Sequence, residues 1–193
     1  LNPAELRLCL IDFKGGATLG EWFEHPSTQA AATDLDSSYE PVLNWLGQQL
    51  ELRERYLAEH FCSRFESLPV GQQLPRLLVV IDELQPLLKL SQASVVEDIA
   101  ARGRSLGIQL VATAQSTLGL SRGLLTNTGL RFLIAVDDPV ELAQLGLKAE
   151  VTDTTEPPSG NWRICRFRGT AGTGNFVFPL GFGNGSTTSQ KIR

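Results

Sequence analysis

The sequence predicts an α/β protein: a mostly parallel sheet flanked by helices, with a hairpin at its C-terminal edge. Three observations carry that expectation. Several short apolar runs do not alternate in polarity, as befits strands buried on both faces. Segments of helical periodicity lie between them. The clearest run, Leu77-Leu78-Val79-Val80-Ile81, stops abruptly at Asp82 and Glu83, at the strand end where open α/β sheets place their ligands.

Taken in order, residues 6–13 read as a strand carrying Asp12 near its end, and Lys14-Gly15-Gly16 as a flexible turn. Ser37-x-x-Glu40 has the form of a capping box opening a helix. Leu43, Leu46, Leu50, Leu57 and Phe61 then recur near helical spacing, with Glu51, Arg53, Glu54 and Arg55 as the charged side. Residues 69–75 form a linker bounded by prolines. A second helix is expected over 93–106, with Val95, Val96, Ile99 and Leu106 buried and Gly107 ending it. Residues 108–113 read as a strand leading to a polar turn with Gln115. A further strand is expected over 130–136 and a short helix over 139–145. Strands at 162–167 and 175–180, joined by the turn 169–174, make the hairpin. Residues 181–193, rich in Gly, Ser and Thr, read as a flexible tail.

The 193-residue length suits one domain with a real core, expected over residues 1–180. No apolar stretch approaches the roughly 18 residues that cross a bilayer, and no signal peptide opens the sequence. Methionine is absent, so the expectation is an excerpt from a longer polypeptide or a product trimmed at its start. Cys9, Cys62 and Cys165 share no metal-ligand spacing and read as small hydrophobes in a reducing compartment. His25 and His60 lack companions at catalytic or zinc spacing and read as structural or exposed. Asn184-Gly185-Ser186 matches a glycosylation sequon without secretory context. A net charge of −4 argues against a broadly basic surface, though not against a local nucleic-acid groove.

The chemistry centres on Asp82 and Glu83. In nucleotide-hydrolysing P-loop proteins an aspartate ending a buried strand holds Mg²⁺, and a following glutamate can polarise the attacking water. The plain alternative is a strand ending at a solvated turn.

Four landmarks stand in sequence: Asp12-Phe13-Lys14-Gly15-Gly16, Val80-Ile81-Asp82-Glu83-Leu84, Arg102-Gly103-Arg104-Ser105-Leu106-Gly107-Ile108 and Ala112-Thr113-Ala114-Gln115. Together they resemble the motor domain of the FtsK/SpoIIIE family, whose members are RecA-like P-loop ring ATPases. The family includes DNA pumps of chromosome segregation and plasmid transfer, and the ATPases of type VII protein secretion. By that resemblance Asp82 is the metal-binding and nucleotide-binding aspartate, Glu83 the catalytic glutamate, and Gln115 the residue sensing the γ-phosphate. The alternative for Gln115 is a turn-forming glutamine. Arg131, in Asn127-Thr128-Gly129-Leu130-Arg131-Phe132, is similar to the family's trans-acting arginine, a task for which a permanently charged fork is suited. Its alternative is a strand-edge salt bridge. Arg53 and Arg55 are weaker candidates, expected on a solvated helix face.

The sequence departs from the family in two places. Ser116-Thr117 follow the glutamine where Arg-Pro is usual, and Gly-x-x-x-x-Gly-Lys-Ser/Thr occurs nowhere. In the family that phosphate-binding segment precedes the strand matching residues 6–13, so the chain is expected to hold half of an ATP site. The resemblance implies ATP and Mg²⁺ as cofactors and a homo-oligomer, a hexameric ring. Double-stranded DNA is the favoured substrate, with a secreted protein as the alternative. It also implies a cytoplasmic domain whose full-length protein is tethered to the inner face of the cell membrane. A third reading is a degenerate, non-hydrolysing ATPase domain kept as a binding module.

Overall fold

The computed structural model describes residues 1–34, 39–134, 139–144, 162–169 and 172–179. The chain divides into two compact units, Leu1–Asn127 and Thr128–Arg193.

The first unit carries four parallel strands, β1 (Leu6–Asp12), β2 (Thr28–Thr33), β3 (Arg76–Asp82) and β4 (Ile108–Ala112), in the order β2-β1-β3-β4. β1 and β3 lie at the centre. They pair in unbroken register from Leu6 opposite Arg76 to Asp12 opposite Asp82, so their terminal acids finish at the same level. Cys9, Ile11, Val79 and Ile81 are wholly buried there. Burial pushes the Cys9 thiol up to about 12, leaving it an inert hydrophobe as expected. β2 was not anticipated. Its sequence, Thr-Gln-Ala-Ala-Ala-Thr, holds three alanines, poor strand formers without an apolar run, and pairing with β1 decides its state.

Helix α1 (Glu40–Glu59) packs against β2 and buries Val42, Leu43, Leu46, Leu50 and Leu57. Ser37 of the expected capping box lies outside the described residues; within the helix, Pro41 sits in the first turn, where its missing N–H costs nothing. Two expectations are corrected here. Phe61 lies beyond the helix end at His60, in a left-handed conformation (φ 54°), and is 99 % exposed; the buried stripe ends at Leu57. Arg53, assigned to the charged side, is only 4 % exposed. Its place three residues after Leu50 and four before Leu57 puts it on the buried stripe. There Nη1 donates to the carbonyl of Leu106 (3.0 Å) and Nη2 to that of Pro75 (2.6 Å). Burial, with the like charges of Arg7 and Arg76, lowers its pKa to about 10. Arg53 thus ties α1 to the segments entering β3 and β4.

The short helix α2 (Leu84–Leu87) follows β3, and α3 (Ser94–Arg102) runs into a 3₁₀ turn, Gly103–Leu106. Gly107 ends this element with φ 72°, and a Cβ there would lie 2.4 Å from the Phe65 ring; only glycine fits on both counts. Helix α4 (Arg122–Asn127), unanticipated, packs on α3. Cys62 is half-buried, its thiol meeting the carbonyls of His60 and Ser67. His60 stacks on Tyr56, and His25 Nδ1 accepts the Ser27 N–H, so both histidines are structural.

The second unit contains β5 (Arg131–Ile134), α5 (Pro139–Gln144), β6 (Trp162–Gly169) and β7 (Gly172–Pro179). Its sheet is antiparallel, ordered β5-β6-β7. The hairpin is present, with Gly169 opposite Gly172, but it belongs to this antiparallel sheet and does not form the expected edge of the parallel one; Gly172 to Gly174, assigned to the turn, already belong to β7. The expected tail, the Asn184 sequon and the ends of the expected 130–136 and 139–145 elements lie outside the described residues. Among those residues no helix is long and apolar enough to cross a membrane.

Candidate functional site

The carboxyl ends of β1, β3 and β4 assemble one polar cluster. β1 ends in Asp12, which is fully buried. Its Oδ1 accepts the Lys14 N–H (2.8 Å), and its Oδ2 accepts those of Thr18 (3.0 Å) and Leu19 (2.8 Å). These donors satisfy a buried acid and wrap residues 13–19 around it. The wrap uses Gly15 and Gly16 at φ 64° and 77°, and the Gly15 N–H donates to the Asp34 carboxylate.

β3 ends in Asp82, whose side chain is 9 % exposed. Thr113, directly after β4, donates its hydroxyl to Asp82 Oδ1 at 2.7 Å. Lys14 Nζ reaches across from the β1 loop to 3.4 Å from Oδ1 and 3.3 Å from Oδ2. Oδ2 is buried and has no hydrogen-bond partner; the lysine contacts it as an ion pair alone. Burial pushes the Asp82 pKa up, but the polar side chains of Thr113, Thr18 and Lys14, with the lysine's charge, outweigh it and hold the carboxyl below its ordinary value.

Glu83 follows at φ 69°, ψ 98°, an uncommon backbone conformation for a residue with a side chain, costing on the order of 1–3 kcal/mol. Thr113 brackets it: its hydroxyl accepts the Glu83 N–H (3.0 Å) and its carbonyl accepts the Leu84 N–H (2.9 Å). One threonine therefore orients Asp82 and the peptide of Glu83 together. Gln115 is exposed in the turn beyond β4.

Of the four residues singled out by sequence, Asp82 and Glu83 are joined through Thr113, and Gln115 follows at the same end of the sheet. Arg131 opens β5 in the second unit and is partly buried. Arg55 is exposed on α1, as expected, and Arg53 is the buried tie already described. Sequence reasoning assigned no role to Asp12, Lys14 or Thr113. A signal existed for the first: Asp12, like Asp82, ends an apolar run.

The cluster fits a divalent cation. Asp82 offers an ionised carboxylate with one oxygen oriented by Thr113 and the other lacking a hydrogen bond. Among the described residues no group of three or more His, Cys, Asp or Glu could hold a metal. A single ionised carboxylate is a donor of the kind Mg²⁺ uses, since that ion keeps several waters and is bound through one or two carboxylates plus phosphate oxygens.

The chain matches no protein-family model. It is 28 % identical over 152 residues to the DNA translocase SftA of Bacillus subtilis, covering 72 % of this chain and 16 % of SftA. It is 31 % identical over 163 residues to the ESX secretion system protein EccC of Thermomonospora curvata, covering 73 % of this chain and 12 % of EccC. The chain thus spans less than a fifth of either relative. Among solved structures, ATPases 2 and 3 of EssC from Geobacillus thermodenitrificans superpose with a TM-score of 0.76 at 20 % identity, covering 96 % of this chain and 36 % of that one. The pCW3 conjugation coupling protein TcpA, in monomer form with ATPγS, superposes at 0.72 with 21 % identity, covering 92 % and 53 %. The fold is that of RecA-like P-loop ATPase domains. By its sequence kinship to a DNA translocase and an EccC protein, and by this fold, the chain is a homologue of FtsK/SpoIIIE-type ATPases.

Proposed function

We propose that the chain is the hydrolytic part of an ATP-driven motor domain. The observation that carries this is the Thr113-bracketed Asp82–Glu83 pair at the carboxyl end of a parallel sheet, with Asp82 Oδ2 held by the Lys14 ion pair and by no hydrogen bond. Asp82 would hold Mg²⁺, which offsets charge on the phosphates, and Glu83 would orient and deprotonate the attacking water. Gln115 would hydrogen-bond the γ-phosphate without adding charge. Arg131 of a neighbouring subunit would complete the site in a homo-oligomeric, hexameric ring. We take double-stranded DNA as the substrate, threaded through the ring at the inner face of the cell membrane, to which the full-length protein is tethered. Protein export is the second reading, supported by the 31 % identity to EccC.

Glu83→Gln in the full-length protein tests the assignment: it should bind ATP normally and lose turnover by about 10²–10⁴. Hydrolysis near the wild-type rate would exclude Glu83 as the base. Stimulation of the wild-type ATPase by duplex DNA supports the first substrate, and stimulation by a secretion-signal peptide supports the second.

A further inference from the structure

We propose that Lys14 is the resident counter-cation of Asp82: its ammonium holds the carboxylate until a divalent ion arrives, and must leave Oδ2 for that ion to bind. This deepens the proposed function and rests on its assignment of Asp82 to the metal. The two oxygens of Asp82 are treated differently. Oδ1 accepts hydrogen bonds from the Thr113 hydroxyl at 2.7 Å and from Lys14 Nζ at 3.4 Å, whereas Oδ2 is buried, accepts none, and meets Lys14 Nζ at 3.3 Å as an ion pair. A magnesium ion binds carboxylate oxygen at about 2.0–2.1 Å, so ion and ammonium would compete for the same side of Oδ2.

The lysine is built to make this exchange. Its backbone is pinned, because its N–H donates to Asp12 Oδ1 and the following Gly15 N–H donates to Asp34. Its side chain is 46 % exposed and carries its charge on a flexible four-carbon stem. Half-exposed ion pairs are individually weak, so a divalent ion can displace this one. A fixed main chain and a mobile head let Lys14 withdraw into solvent and return without refolding the loop. It acts as a positioning residue, keeping Asp82 oriented between nucleotides and setting the metal concentration at which the site loads.

The test is Mn²⁺ binding to the 193-residue chain, followed by the electron paramagnetic resonance of the free ion. Lys14→Met should bind Mn²⁺ about tenfold more tightly than wild type, as expected when a competing like charge is removed. Lys14→Gln, which stays polar, should show the same gain should the methionine variant fold poorly, and Lys14→Arg should stay near wild type. Equal or weaker binding by both neutral variants overturns the proposal. Asp82→Asn separates the two layers. If it cancels the gain of Lys14→Met, both the metal assignment and the lysine's role stand. If the double variant keeps the gain, the ion binds elsewhere and the metal assignment and the proposal fall together. If the neutral variants gain nothing while Asp82→Asn weakens wild-type binding, the metal assignment survives and the role of Lys14 does not.

Discussion

Replacing Thr113 by valine removes one hydroxyl and keeps the side chain's shape. That hydroxyl donates to Asp82 Oδ1 at 2.7 Å and accepts the Glu83 N–H at 3.0 Å. A hydrogen bond to a charged group contributes about 1.5–3 kcal/mol and a neutral one about 1 kcal/mol. Thr113 is exposed, so water recovers part of the loss and the expected cost is about 2–3 kcal/mol. The effect should depend on pH. The folded-state pKa of Asp82 is depressed, so its stabilisation is full above the unfolded value of about 3.9 and is lost as pH falls through the folded value. Valine removes one of the interactions that depress it. The deficit of Thr113→Val should therefore be greatest at neutral pH and shrink as the medium is acidified through the carboxylate range. About 1 kcal/mol, the share of the Glu83 amide, should remain. Urea unfolding followed by tryptophan fluorescence from pH 7 to pH 3 measures this. A deficit under about 0.5 kcal/mol at pH 7, or one independent of pH, would refute the bracket.

Arg53→Ala should cost about 3 kcal/mol in chemical denaturation, because the carbonyls of Leu106 and Pro75 lose their donors and a cavity opens; Arg53→Met should cost less, since it refills the space. Gly107→Ala should destabilise by about 2–4 kcal/mol, combining a left-handed backbone with overlap on the Phe65 ring, and a neutral result in thermal unfolding would contradict the packing. In the full-length protein, Arg131→Ala should reduce ATP turnover by about 10³–10⁵ with nucleotide affinity intact. Mixing Arg131→Ala with Glu83→Gln subunits should restore some hydrolysis; inactive mixtures that demonstrably exchange subunits would exclude a trans role.

The strand ending in Asp82 was legible because a buried parallel strand needs apolar residues on both faces, and an acid marks where burial stops. Gly107 was legible because a left-handed cap selects glycine. β2 was not, since its three alanines carry no strand preference and pairing with β1 decides the matter. Arg53 was misread because charge is presumed exposed; two carbonyls from distant segments make its burial tolerable. The roles of Lys14 and Thr113 were hidden for a related reason. Each meets Asp82 across 68 and 31 residues respectively, through sheet register that no local pattern encodes.

Those separations have a kinetic meaning. Every ladder in the first unit is parallel, so none closes by a local turn and each waits on a crossover connection. Folds dominated by such distant pairings form slowly. Asp12, Lys14, Asp82, Glu83 and Thr113 therefore cannot meet while the chain is still emerging from the ribosome at residue 100. The cluster assembles only when β4 has docked on β3. An incomplete chain carries the acids but not the threonine that orients them, so the topology itself delays assembly of the polar cluster until the sheet is finished.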